Sequence, residues 1–82
     1  MMVDYMVKVT ECEPLPGFRL RVACSDGSRG VFDMSKYVTR GMFREVNTPE
    51  RFNMVRLVFG VPTWPGDIDI APERVRSDMV AA

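Results

Sequence analysis

Asp67 and Asp69 are the residues whose type and spacing come closest to chemistry in this sequence. Two carboxylates at i, i+2 after an apolar stretch could share a hard cation, or divide a proton between an acid and a base role. A calcium loop needs more oxygen ligands at regular spacing, and Gly66, Ile68 and Ile70 supply none from their side chains. Carboxylates just ahead of a helix also have a structural use, because negative charge is favoured near a helix N-terminus. That second use fits the pair better. The chain contains no histidine, which removes the commonest general base and metal ligand, and with it every Ser-His or Cys-His pair. Cys12 and Cys24 alone do not make a zinc ligand set. The glycines are scattered at positions 17, 27, 30, 41, 60 and 66, in no phosphate-binding pattern. The expectation is therefore a protein that is not an enzyme, with no catalytic residues, no cofactor and no metal.

What remains is a set of residues suited to binding. Trp64-Pro65 precedes the two carboxylates, and tryptophan is enriched at interface hot spots. Trp64, Pro65, Asp67 and Asp69 are thus the candidate partner-binding residues. The competing role for Trp64 is packing over a small core with little else to fill it. Basic and acidic residues balance at 11 each, without the basic excess of a phosphate-binding surface. Arg19, Arg21 and Arg29 could still make a local patch, but direct nucleic-acid binding is disfavoured.

These residues need elements to position them. Val7-Lys8-Val9-Thr10 alternates as a half-buried strand does, and Pro14-Leu15-Pro16-Gly17 breaks it. Phe18, Leu20 and Val22 recur at period two in a second strand. Asp26-Gly27 is a strong hairpin signal, leading to a return over residues 29–32. If Asp26 and Gly27 are the two turn residues, Val22 faces Val31. Asp33 can cap a helical turn over residues 34–38 that Gly41 closes, and residues 42–46 can form another turn. Thr48-Pro49 starts a short helix, with Thr as N-cap and Pro at the first position. Residues 54–59 are apolar on both parities except at Arg56, which predicts a central or well-covered strand. Gly60-Val61 can turn that strand back. Pro62 donates no backbone hydrogen bond, so the return through Trp64 is expected at a sheet edge, or with its missing donor facing outward. A final helix runs from Pro72 to about Met79. In it Val75 and Met79 share a face and Arg74 lies i, i+4 from Asp78. Met34, Met42, Met54 and Met79 fall where core is expected, as adaptable gap fillers.

The expected fold is α+β: one domain spanning residues 1–82, with a small curled antiparallel sheet of about five strands, short helical turns and a C-terminal helix. At 46% hydrophobic and 27% charged, the composition excludes disorder. No stretch reaches the ~18 apolar residues of a membrane span, and no signal peptide opens the sequence. Two cysteines do not make a disulfide scaffold. A cytoplasmic protein with two buried free thiols is expected.

The order Asp26-Gly27, Val31-Phe32-Asp33-Met34, Gly41-Met42-Phe43, Phe52, then Trp64-Pro65 and Asp67-Ile68-Asp69-Ile70-Ala71-Pro72 resembles a family of short bacterial proteins, domain of unknown function 2442. The resemblance runs from about Val7 to Val80. The chain departs from the family pattern at Cys24, where an apolar or aromatic residue is usual, and in the spacing of the segment after Trp64. The resemblance implies an α+β domain with a curled antiparallel sheet and no established enzymatic activity. It also implies an antitoxin-like role, since family members often neighbour small toxin-like proteins. Longer members carry a helix-turn-helix after this domain; the chain ends before such a segment, so autonomous DNA binding is not expected. The function expected is a non-catalytic protein-interaction module that binds another small protein or itself as a homodimer, through an edge strand with Trp64 as anchor. The alternative is a small ligand- or cation-binding subunit using Asp67 and Asp69.

Overall fold

Alternation and turn chemistry set the first half of the computed structural model, which describes residues 7–81. The stretch in which no signal peptide is expected lies outside the described residues. Strands β1 (Val9–Leu15), β2 (Arg19–Cys24) and β3 (Arg29–Asp33) form consecutive antiparallel hairpins. Leu20 and Val22 face the core while Arg19 and Arg21 face outward, as period two requires. A register shift between Val9 and Glu11 leaves Thr10 as an extra residue, its hydroxyl donating to the Ala23 carbonyl at 3.2 Å.

The β2–β3 turn corrects one expectation. The loop has three residues, Ser25 to Gly27, closed by Cys24 N–H to the Ser28 carbonyl at 2.9 Å. Gly27 takes a φ of +91° at its last position, as a three-residue hairpin loop prefers. The extra residue moves the register by one, so Val22 pairs with Gly30 and Val31 with Arg21.

Asp33 caps the following turn, its carboxylate accepting from Ser35 N–H at 2.8 Å. Gly41, at φ +61°, leads into a 3₁₀ helix over Gly41–Val46. Helix α1 (Pro49–Phe52) starts as expected, with the Thr48 hydroxyl accepting from Arg51 N–H at 3.2 Å.

The second half forms its own sheet. Strands β4 (Arg56–Val58), β5 (Val61–Trp64) and β6 (Ile68–Asp69) pair antiparallel in the order β4-β5-β6. One expectation is corrected, and of the two alternatives for Pro62 only the outward-facing donor remains. β4 is an edge strand and shorter than the apolar run, and Met54 is exposed beside it. β5, which contains Pro62, is the central strand. The sheet tolerates Pro62 because the ladder stops there: Ile70 N–H donates to the Pro62 carbonyl at 3.2 Å, nothing is returned, and β6 ends at Asp69. The turning residues are Phe59 and Gly60, at φ +51° and +79°, rather than Gly60-Val61. Positive φ at both positions is a type I′ turn. Gly60 is required on a second count, since a Cβ there would meet the Lys8 side chain at 2.6 Å.

Helix α2 (Pro72–Asp78) buries Val75 and leads into β7 (Val80–Ala81), a strand not anticipated, which pairs with β3 at Gly30 and Val31. The four-stranded sheet thus runs β1-β2-β3-β7. The α+β class with short helices and a C-terminal helix is observed, its strands divided between two antiparallel sheets. One buried cluster joins the two sheets, including Leu20, Val22, Phe32, Met34, Phe52, Trp64 and Val75. Met34 is core as expected, but Met42 and Met54 are exposed. No helix among the described residues is long and apolar enough to cross a membrane.

Candidate interaction face

The four candidate residues part company in the structure. Trp64 is only 1% exposed. Its ring meets Phe52 at 5.8 Å and Phe43 at 6.2 Å between centroids, and its indole N–H donates to the Phe52 carbonyl at 2.9 Å. A side chain so enclosed cannot anchor a partner directly; the apolar body and the single N–H are both used internally. Pro65, Asp67 and Asp69 are all exposed. Pro65 borders a shallow depression with Met42, Glu45 and Arg51. Asp67 sits at φ +61° in the turn between β5 and β6, a conformation that aspartate tolerates better than most residues. Among the described residues no group of three or more His, Cys, Asp or Glu gathers as a metal site, and neither Asp67 nor Asp69 takes an ion pair.

Register shows what does accompany Asp69. Arg56 pairs with Thr63, and Thr63 with Asp69. Cross-strand partners point to the same side of a sheet, so these three side chains form one row across β4, β5 and β6. Two residues along, Val58 pairs with Val61 on that same side. The opposite side carries Pro62, Trp64 and Ile68, all buried. The three-stranded sheet therefore has a core face and an outer face of Arg56, Val58, Val61, Thr63 and Asp69, with Phe59 at its tip.

Sequence pattern alone does not single out Phe59. It is 90% exposed and stands at φ +51°, a region where bulky residues are outliers. The visible signal is Phe-Gly at the two central positions of a type I′ turn, where Asn-Gly would be relaxed. Gly60 holds this tip against β1, its carbonyl accepting from Val9 N–H at 2.9 Å.

The other exposed candidates are balanced within the fold. Arg21 pairs with Glu13 at 2.8 Å and Arg29 with Glu11 at 3.3 Å, while Arg19 donates to the Pro16 carbonyl at 3.1 Å. The arginine face carries its own acids, which removes the local basic excess that phosphate binding needs. Both thiols are free, and burial pushes Cys12 up to about 12 and raises Cys24 as well.

The profile of a family described as "Protein of unknown function (DUF2442)" matches residues 9–77. The chain belongs to the DUF2442 family. Comparison with curated proteins and with solved structures gives no match. The DUF2442 match spans all of β1 through β6, so it includes the outer face, Phe59 and the buried Trp64 together.

Proposed function

We propose that this DUF2442 protein is a non-catalytic protein-interaction module that works in the cytoplasm as the antitoxin-like partner of a second small protein. The observation that carries this reading is Phe59. A solvated phenylalanine in a left-handed turn conformation buries almost none of its ring in its own fold, and strain of this kind collects at sites used for binding. An aromatic ring held at the tip of a hairpin is a suitable anchor for a pocket on a partner, because little rotamer freedom is lost on docking. Two free thiols, Cys24 buried and Cys12 half-buried rather than buried as expected, are compatible with a reducing compartment.

The test is capture of the tagged chain from its source cells, followed by reconstitution of the co-eluting protein with the purified chain at equal stoichiometry. Phe59→Ser, which changes only an exposed side chain, is expected to abolish the reconstituted complex while leaving the thermal melt intact. Undiminished binding by the Phe59→Ser chain overturns the reading. For the antitoxin-like role, expression of the partner alone should arrest growth, and co-expression of this chain should relieve it.

A further inference from the structure

The row Arg56, Thr63, Asp69 has a property that neither charge has alone. It places a cation on β4 and an anion on β6, with the central strand β5 between them. Neighbouring strands lie about 4.8 Å apart, so the backbones that carry the two charges are about 10 Å apart across the face. Among the described residues neither charge is engaged in an ion pair.

A two-fold axis lying in the plane of this face, parallel to β5, exchanges the β4 side with the β6 side and keeps each row at its own level. Arg56 of one copy then stands over Asp69 of the other, and Asp69 over Arg56. Thr63 meets Thr63, and Val61 meets Val61. The face is therefore complementary to itself in charge. The same operation covers β-branched side chains, Val61 and Thr63, that stand half-open to water, and Val58, which is exposed. Such residues are typical of sheet surfaces that pack against something. Two sheet faces meeting at the usual ~10 Å leave room for this layer of side chains. An isologous contact is also the commonest way for one surface to find a partner.

We infer that the outer face of the β4-β5-β6 sheet is a self-association surface whose occupant is a second copy of this chain, held in register by reciprocal Arg56–Asp69 pairs. This surface is distinct from the Phe59 tip. An axis parallel to the strands leaves both tips at the same end of the dimer, side by side and still exposed.

The symmetry makes the test sharp. The purified chain is followed by sedimentation velocity over a wide concentration series. The wild type is expected to shift from monomer to dimer. Arg56→Asp places carboxylate against carboxylate twice per dimer, and Asp69→Arg places guanidinium against guanidinium twice. Each is expected to weaken dimerisation by at least about tenfold. In an equimolar mixture of the two single variants, the aspartate introduced in one chain faces the arginine introduced in the other. The unaltered Asp69 of the first chain faces the unaltered Arg56 of the second, so both pairs are restored. The mixture is expected to sediment as a heterodimer at concentrations where each variant alone is a monomer. That rescue also demonstrates that both variants are folded. A wild type that stays monomeric throughout, single reversals that leave dimerisation unchanged, or a mixture no better than its components would each overturn the inference. None of these outcomes bears on whether Phe59 binds a different protein.

Discussion

The indole N–H of Trp64 donates to the carbonyl oxygen of Phe52 at 2.9 Å, and both side chains are fully buried. One bond thus ties the second sheet to helix α1, at the centre of a run of ring contacts. Phe18 meets Phe52 edge-on at 5.4 Å, Phe43 meets Trp64 at 6.2 Å, and Tyr37 meets Phe43 at 6.2 Å. Trp64→Ala would open a cavity at that centre and leave the Phe52 carbonyl without its donor. The expected cost is about 3–5 kcal/mol, comparable with the whole stability of a small domain. The variant should be largely unfolded in the absence of denaturant. Trp64→Phe keeps ring contacts but loses the hydrogen bond, and should cost roughly 1–3 kcal/mol. Urea titrations followed by circular dichroism distinguish the two, since both variants lack the only tryptophan.

Phe59 makes the opposite prediction. Asparagine adopts the left-handed region at lower cost than phenylalanine and is preferred at this turn position. Phe59→Asn should leave stability unchanged or raise it by about 0.5–1 kcal/mol, a gain of roughly 2–8 °C in midpoint for a domain of this size. The same substitution should abolish binding to the partner proposed above. A thermal melt paired with a binding assay reads both. A marked fall in midpoint would mean that Phe59 has a structural use that its exposure does not reveal.

The contrast between Trp64 and Phe59 marks where sequence patterns are legible and where they are not. The β1-β2-β3 hairpins follow from strict alternation and turn residues, and Thr48-Pro49 announces α1, because these signals are local. Trp64 and Phe59 are both aromatic residues, one beside a turn and one within it, and local pattern does not say which one the core takes. That depends on α1 and the 3₁₀ helix closing over Trp64, a tertiary event. Residues 54–59 mislead for the same reason. Their unbroken apolar character suggests cover on both sides, yet Leu57 packs against the core while Val58 and Phe59 remain outside. Asp26-Gly27 locates its turn but does not fix the loop length, since two- and three-residue loops share those residues and differ by one in register. The Arg56–Thr63–Asp69 row is out of reach of sequence alone, because it exists only once the registers of two hairpins are known.

Asp67 and Asp69 carry a prediction for divalent ions. They are exposed, two residues apart on a turn and a two-residue strand, with no third carboxylate among the described residues to complete a site. A tight site would raise the melting midpoint by mass action. Melts with millimolar magnesium, calcium or manganese are expected to coincide with the melt in chelator. A cation-specific rise that Asp67→Asn removes would establish the carboxylate pair as a cation site.

Asp26 fixes the expected response to acid. Its carboxylate accepts from the Ser28 hydroxyl, from Arg76 Nε at 2.8 Å and from Ser28 N–H at 3.0 Å, joining the β2–β3 turn to helix α2. These donors, the Ser28 hydroxyl first, hold its carboxyl well below the usual carboxylate range. Asp33, through Ser35 N–H, and Asp78, through the Ser77 hydroxyl, are lowered in the same direction. A carboxyl whose value is lower in the folded chain than in the unfolded one stabilises the fold above its unfolded value, about 3.9, and loses that contribution as pH falls toward the folded value. The melting midpoint should therefore hold steady from neutrality to about pH 5 and then decline through the range of about pH 4 to pH 2. Asp26→Asn removes the charge that Arg76 and Ser28 stabilise. It should lower the midpoint at neutral pH and flatten the acid decline, and the two curves should converge at the acid end. Parallel curves across the whole range would mean that the Asp26 carboxylate contributes no more when charged than when neutral, and that the tie between the turn and α2 depends on shape alone.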